Sequence, residues 1–181
     1  MTADVERETT RQRILASAAG VLAGRGNTSM AEIAAAAGIA RGTLYRHFPT
    51  RESLLQALEA AANEEARVRL AEAGIDGVPV DEGLARATRA LVAVGEHFIV
   101  LLRERRPPEP SFGEPLAALL RRGQAEGEIS SDCPAEVLVE VLLVVVGVCT
   151  RTGRAIGMGA EDISATALRL FLDGARVHSA G

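Results

Sequence analysis

The chain has 181 residues, 48% of them hydrophobic and 24% charged, enough apolar material for a sizeable core in one or two domains. Net charge is −4, which excludes a uniformly basic nucleic-acid coat, but it is unevenly spread: residues 1–55 carry +2 and the remainder −6. Cys133 and Cys149 have no clustered histidines and make no metal spacing, and no secretory signal or apolar run of ~20 residues appears, which points to a reducing cytoplasm and no membrane span.

Residues 1–8 are polar and are expected to fray. A helix is predicted from about Thr9 to Arg25, with Ile14, Leu15, Ala18, Val21 and Leu22 as its buried stripe. Arg7, Arg11 and Arg13 lie at or before its start, where they could graze phosphates or stay solvated. Met30, Ile33, Ala34 and Ala37 then recur at helical spacing. Ser29 precedes them as an N-cap, with Glu32 at the capping-box distance. Gly38 suits a left-handed residue closing that helix, and Ile39 plugs the turn. A second short helix follows, with Ala40, Leu44 and Phe48 on one side and Arg41, Gly42, Thr43, Tyr45, Arg46 and His47 on the others.

Two short helices joined by a glycine turn make a helix-turn-helix, whose second helix enters the DNA major groove in proteins that read DNA. Arg41 and Arg46 are long donors suited to guanine or phosphate, while Thr43, Tyr45 and His47 suit phosphate oxygens. Gly42 leaves room for close backbone approach. Bare helix-turn-helix spacing also occurs in proteins that never touch DNA. The string GTLYRHFPTRESLL, from Gly42 to Leu55, resembles the signature of the TetR family of bacterial transcriptional regulators. Thr43, Tyr45, His47, Phe48, Glu52 and Leu54 match it, and Arg51 stands where that family usually has lysine. The resemblance covers about residues 8–58. It implies that Arg41, Gly42, Thr43 and Arg46 face bases or flanking phosphates, that Tyr45, His47 and Arg51 hold the DNA backbone, and that Ser29 contacts phosphate.

Pro49 ends the second short helix, and Thr50 caps a helix from Arg51 to about Ala73 with Leu54, Leu55, Leu58, Ala61 and Ala62 inward. A loop over 74–80 precedes a core helix that Asp81 caps and that runs to about Arg106, through Leu84, Ala87, Thr88, Leu91, Val94, Gly95, Phe98, Leu101 and Leu102. Pro107, Pro108 and Pro110 enforce a break. A shorter helix opens at Ser111 to Pro115, and a long apolar helix runs from about Pro134 to Ile156. A last helix ends near Val177. The fold class is therefore all-α, about nine helices. An N-terminal three-helix DNA-binding domain over 1–50 is expected before a helical effector-binding and dimerisation domain over 51–181.

The last two helices are apolar around most of their girth, and a second copy would cover them in a twofold bundle. Leu138, Val141, Val148, Leu168, Phe171, Leu172 and Ala175 are the candidate interface. The family resemblance implies the same homodimer, reading a palindromic operator in double-stranded DNA, and an effector pocket among the middle helices. His97, Phe98, Leu101, Leu102, Phe112, Leu119, Val145 and Cys149 are its candidate lining, aliphatic enough that an unidentified small-molecule effector would be partly apolar. The alternative for each is ordinary core packing. With three histidines and no nucleophile elbow, phosphate loop or metal cluster, neither an enzyme nor a cofactor is expected. The function expected is a ligand-responsive transcriptional regulator, a repressor by family resemblance.

Overall fold

A computed structural model describes residues 2–24, 28–95, 100 and 110–176. Eight helices are present among them: α1 Thr2–Gly24, α2 Met30–Ala36, α3 Arg41–His47, α4 Arg51–Ala73, α5 Val80–Val94, α6 Pro110–Ala125, α7 Ala135–Ala155 and α8 Ala160–Ala175. The one β pairing among the described residues is an antiparallel bridge between Ile129 and Arg176. No described helix is long and apolar enough to cross a membrane. The all-helical class expected from the sequence holds.

The chain divides into two units, one of residues 1–62 with 96–106 and one of 63–95 with 107–181. The first division falls inside α4. In the first unit, α1 brings Ile14, Leu15, Ala18, Ala19 and Leu22 onto Ile33 and Ala34 of α2, Leu44 of α3, and Leu54, Leu55 and Leu58 of α4. Phe48 and Val100 complete this core. Burial of apolar side chains here is the main source of stability, at roughly 1.5–3 kcal/mol for each large one.

The second unit packs α7 against α8 and α6, and α5 against α8, α6 and α7. Its core includes Leu84 and Leu91 of α5, Leu116 and Leu120 of α6, Leu142 and Val146 of α7, and Ile163 and Phe171 of α8. The approach of α7 to α8 is close enough to favour glycine. A Cβ on Gly153 would lie 2.6 Å from Cγ1 of Ile163, far inside carbon–carbon contact. The end of α8 is tied down by Ser130 N–H donating to the Ala175 carbonyl at 2.8 Å and by Arg176 donating to Asp81 at 2.6 Å.

Three expectations are corrected. The first helix starts at Thr2, not Thr9. The helix expected from Asp81 to Arg106 follows Pro79 as its N-cap and stops at Val94, because Gly95 turns to φ +68. The Arg154 guanidinium fills the space at Gly95, with Nη2 3.0 Å from where a Cβ would sit and 3.5 Å from the Val92 carbonyl. A cation there favours the C-terminal end of the α5 dipole. Ala40 is not a core position but the exposed N-cap of α3.

Candidate nucleic-acid interface

The two short helices are fixed by local chemistry at both ends. Ser29 caps α2: its hydroxyl accepts from Glu32 N–H at 3.3 Å, and Ser29 N–H donates to the Glu32 carboxylate at 2.8 Å. The Ser29 hydroxyl proton also goes to Glu32, at 2.7 Å. Gly38, at φ +65, closes α2. Its N–H donates to the Ala35 carbonyl and Ile39 N–H to the Ala34 carbonyl, the paired bonds of a Schellman motif. Ala34, Leu44 and Phe48 are almost fully buried. Phe48 leaves helical geometry at φ −136 and ψ 92, as the residue before Pro49 must. Thr50 and Ser53 then cap α4 reciprocally, at 3.0 and 3.1 Å.

This scaffold turns one face of α3 outward. Arg41, Gly42, Tyr45 and Arg46 are exposed, Tyr45 by 49%, unusual for an aromatic ring. Thr43 and His47 are half-buried along the edges of that face. The donors grouped there by sequence thus share one helix, with Leu44 and Phe48 anchoring it from behind. Ser29 is exposed, but its hydroxyl already serves Glu32. Arg51 is half-buried, and its Nη1 donates to the Thr28 carbonyl at 2.8 Å. Arg11 lies 5.5 Å from the centre of the Phe48 ring, a cation–π contact that covers the end of α3. Neither arginine contact was legible in sequence, because each joins residues far apart in the chain.

The candidate effector lining fares differently. His97, Phe98, Leu101 and Leu102 lie outside the described residues, and so does the side chain of Phe112. Leu119 is buried where α6 crosses α5 at Gly83, in a packing role. Val145 and Cys149 are half-buried on α7. Partial burial pushes the Cys149 thiol pKa up. An open groove of about 400 Å³ lies elsewhere in the second unit, lined by Arg69, Glu72, Ala73, Arg86, Arg89 and Ala90. Its arginines are engaged, Arg69 with Glu65 at 2.9 Å, Arg86 with Glu82 at 2.6 Å and Arg89 with Glu161 at 3.5 Å.

Of the candidate interface residues, Leu138, Phe171 and Ala175 are buried within the chain itself, and Leu168 and Leu172 are half-buried. Val141 and Val148 are exposed. With Val137 and Val144, which the sequence pattern does not single out for an interface, they form a stripe at spacings of four, three and four along one face of α7. All four are 44–48% exposed, and Leu170 on α8 is 51% exposed.

Residues 14–58 match the family described as bacterial regulatory proteins, tetR family. The chain is 36% identical over 89 residues to the HTH-type transcriptional repressor LfrR of Mycolicibacterium smegmatis, a match spanning 49% of this chain and 47% of that protein. It is 28% identical over 176 residues to the HTH-type transcriptional regulator NfxB of Pseudomonas aeruginosa, covering 91% and 93% of the two. The crystal structure of LfrR from Mycobacterium smegmatis in complex with proflavine superposes with a TM-score of 0.75 at 25% identity, over 97% of this chain and 99% of that one.

Proposed function

This chain belongs to the TetR family of bacterial regulatory proteins, and from that premise we propose that it is a homodimeric, cytoplasmic repressor that releases a palindromic operator when a small organic effector binds. The observation that carries the DNA-reading part is the exposed face of α3. Arg41 and Arg46 supply base-edge or phosphate donors, Tyr45 and His47 supply phosphate donors, and Gly42 admits close approach. Residues 1–50 do the reading, and residues 51–181 take the effector and pair with a second copy. A twofold pair of such helices would read half-sites one helical turn apart, about 34–36 Å, or multiples of that. The unpartnered valine stripe of α7 supports the dimer. The relatives named above are transcriptional regulators rather than enzymes, and LfrR is a repressor solved with proflavine.

The test is binding of the purified chain to duplex DNA from upstream of its own gene, with salt varied and Tyr45→Ala as control. Saturable binding that weakens with salt, and weakens further in the control, supports the proposal, because phosphate contacts release counterions. Arg41→Ala and Arg46→Ala should also change sequence preference, by ~1–3 kcal/mol for each base edge that the arginine reads. If all three variants bind like the parent, α3 does not read DNA. Proflavine, followed by its fluorescence, is the first effector probe; release of the duplex on its binding is the expected result.

A further inference from the structure

Arg51 stands at the first residue of α4, a helix rooted in the core by Leu54, Leu55 and Leu58 and capped by Thr50 and Ser53. Its guanidinium reaches back to the Thr28 carbonyl at 2.8 Å, and Thr28 is itself buried. Thr28 immediately precedes Ser29, the N-cap of α2. A rigid path therefore runs from the core, through the first turn of α4, to the start of α2. The helix α2 has only seven residues, and α3 has seven and no side-chain cap at its own start. Helices this short do not hold a direction alone. The Schellman turn at Gly38 passes the orientation of α2 to α3. The carboxylate of Glu32 already sits on Ser29 N–H and its hydroxyl, which makes the mouth of α2 unfavourable for a phosphate.

We propose that Arg51 is a positioning residue for the DNA-reading helix, holding the start of α2 through the Thr28 carbonyl, and that its contribution to DNA binding comes through this hydrogen bond rather than through a phosphate. A charge-assisted bond in a half-buried site is stronger than a neutral one. The guanidinium suits the task because its donors are planar and preorganised, so less freedom is lost in making the bond. The proposal rests on the DNA-binding reading, and the experiment separates the two.

The full-length chain is used with a duplex that the parent selects from a random library and with a scrambled duplex as control. Arg51→Met is measured well below its melting transition; if it does not fold, Arg51→Gln, also uncharged, carries the same readouts. Positioning predicts about tenfold weaker binding to the selected duplex. It also predicts little change on the scrambled one and an unchanged slope of log affinity against log salt. Amide exchange at Ile33, whose N–H donates to the Ser29 carbonyl at 3.1 Å, should quicken. A phosphate contact predicts the reverse: a slope smaller by about 0.9, equal weakening on both duplexes and unchanged exchange. That result overturns the proposal. If the parent selects no duplex, the DNA reading fails by itself. Exchange at Ile33 then decides the tether, which unchanged exchange would overturn and faster exchange would uphold.

Discussion

Val144→Asp should abolish self-association. Val137, Val141, Val144 and Val148 are each nearly half exposed, so covering them would complete a burial the fold leaves half done. Full burial of a valine is worth about 1.5 kcal/mol, so the remaining half is roughly 0.7 kcal/mol apiece and about 6 kcal/mol over two protomers. That is comparable with the ~4–15 kcal/mol that association costs in lost freedom, so a pair built on the stripe would have little surplus. An aspartate at 144 removes two valine contributions and sets two carboxylates in an apolar seam, where each costs several kcal/mol. The sum exceeds about 4 kcal/mol, at least a thousandfold in dimer affinity. Sedimentation equilibrium across a wide range of protein concentration reads this directly. Far-ultraviolet circular dichroism should match the parent, since the side chain is half solvated already. The reasoning is refuted if Val144→Asp self-associates as the parent does, or if the parent is a monomer at every concentration.

Gly153→Ala should lower thermal stability by about 1 kcal/mol: ~2 kcal/mol from the 2.6 Å clash with Ile163, offset by ~1 kcal/mol of helix propensity. Combining it with Ile163→Ala removes the clash, so a double-mutant cycle must show coupling; strict additivity would contradict the close crossing. Gly95→Ala should cost about 1 kcal/mol or more, read as a lower urea midpoint, because an L side chain at φ +68 is strained and its Cβ would press on Arg154. Cys149 should alkylate with iodoacetamide more slowly than a free cysteine at mildly alkaline pH, since burial holds its thiol protonated. The raised folded pKa also sets a sign. The thiol's contribution to stability is full below the ordinary thiol range and is lost as pH rises through the raised value, where the unfolded chain has already released its proton.

What the sequence could show was local. Period, caps and punctuation placed α2, α3 and the start of α4, because Ser29 with Glu32, Gly38, and Pro49 with Thr50 act on their own neighbours in the chain. The resemblance in residues 42–55 added what the spacing alone left open. Periodicity failed where backbone geometry overruled it: the apolar repeat runs on through Phe98 and Leu102, yet α5 stops at Gly95. It also failed where every face was apolar. Period along α7 sets Val137, Val144 and Val148 on another side from Leu138 and Leu142, but with both sides apolar it does not say which packs inward. Sequence position makes Arg11 and Arg51 charges near DNA, and only the fold shows that each is engaged with a distant part of the same unit.

The first unit is not a continuous stretch of chain, since Val100, far beyond α4 in sequence, is buried in its core at 1% exposure. Its makeup has a consequence for birth on the ribosome. A domain made only of residues 1–62 could fold as soon as it left the exit tunnel, as N-terminal domains generally do. This one lacks the Val100 contact until that residue has also emerged, by which time α5 has been synthesised. Order of synthesis and order of completion therefore differ, and a polypeptide cut after α4 would carry an open seam in the very core that holds α3 in place.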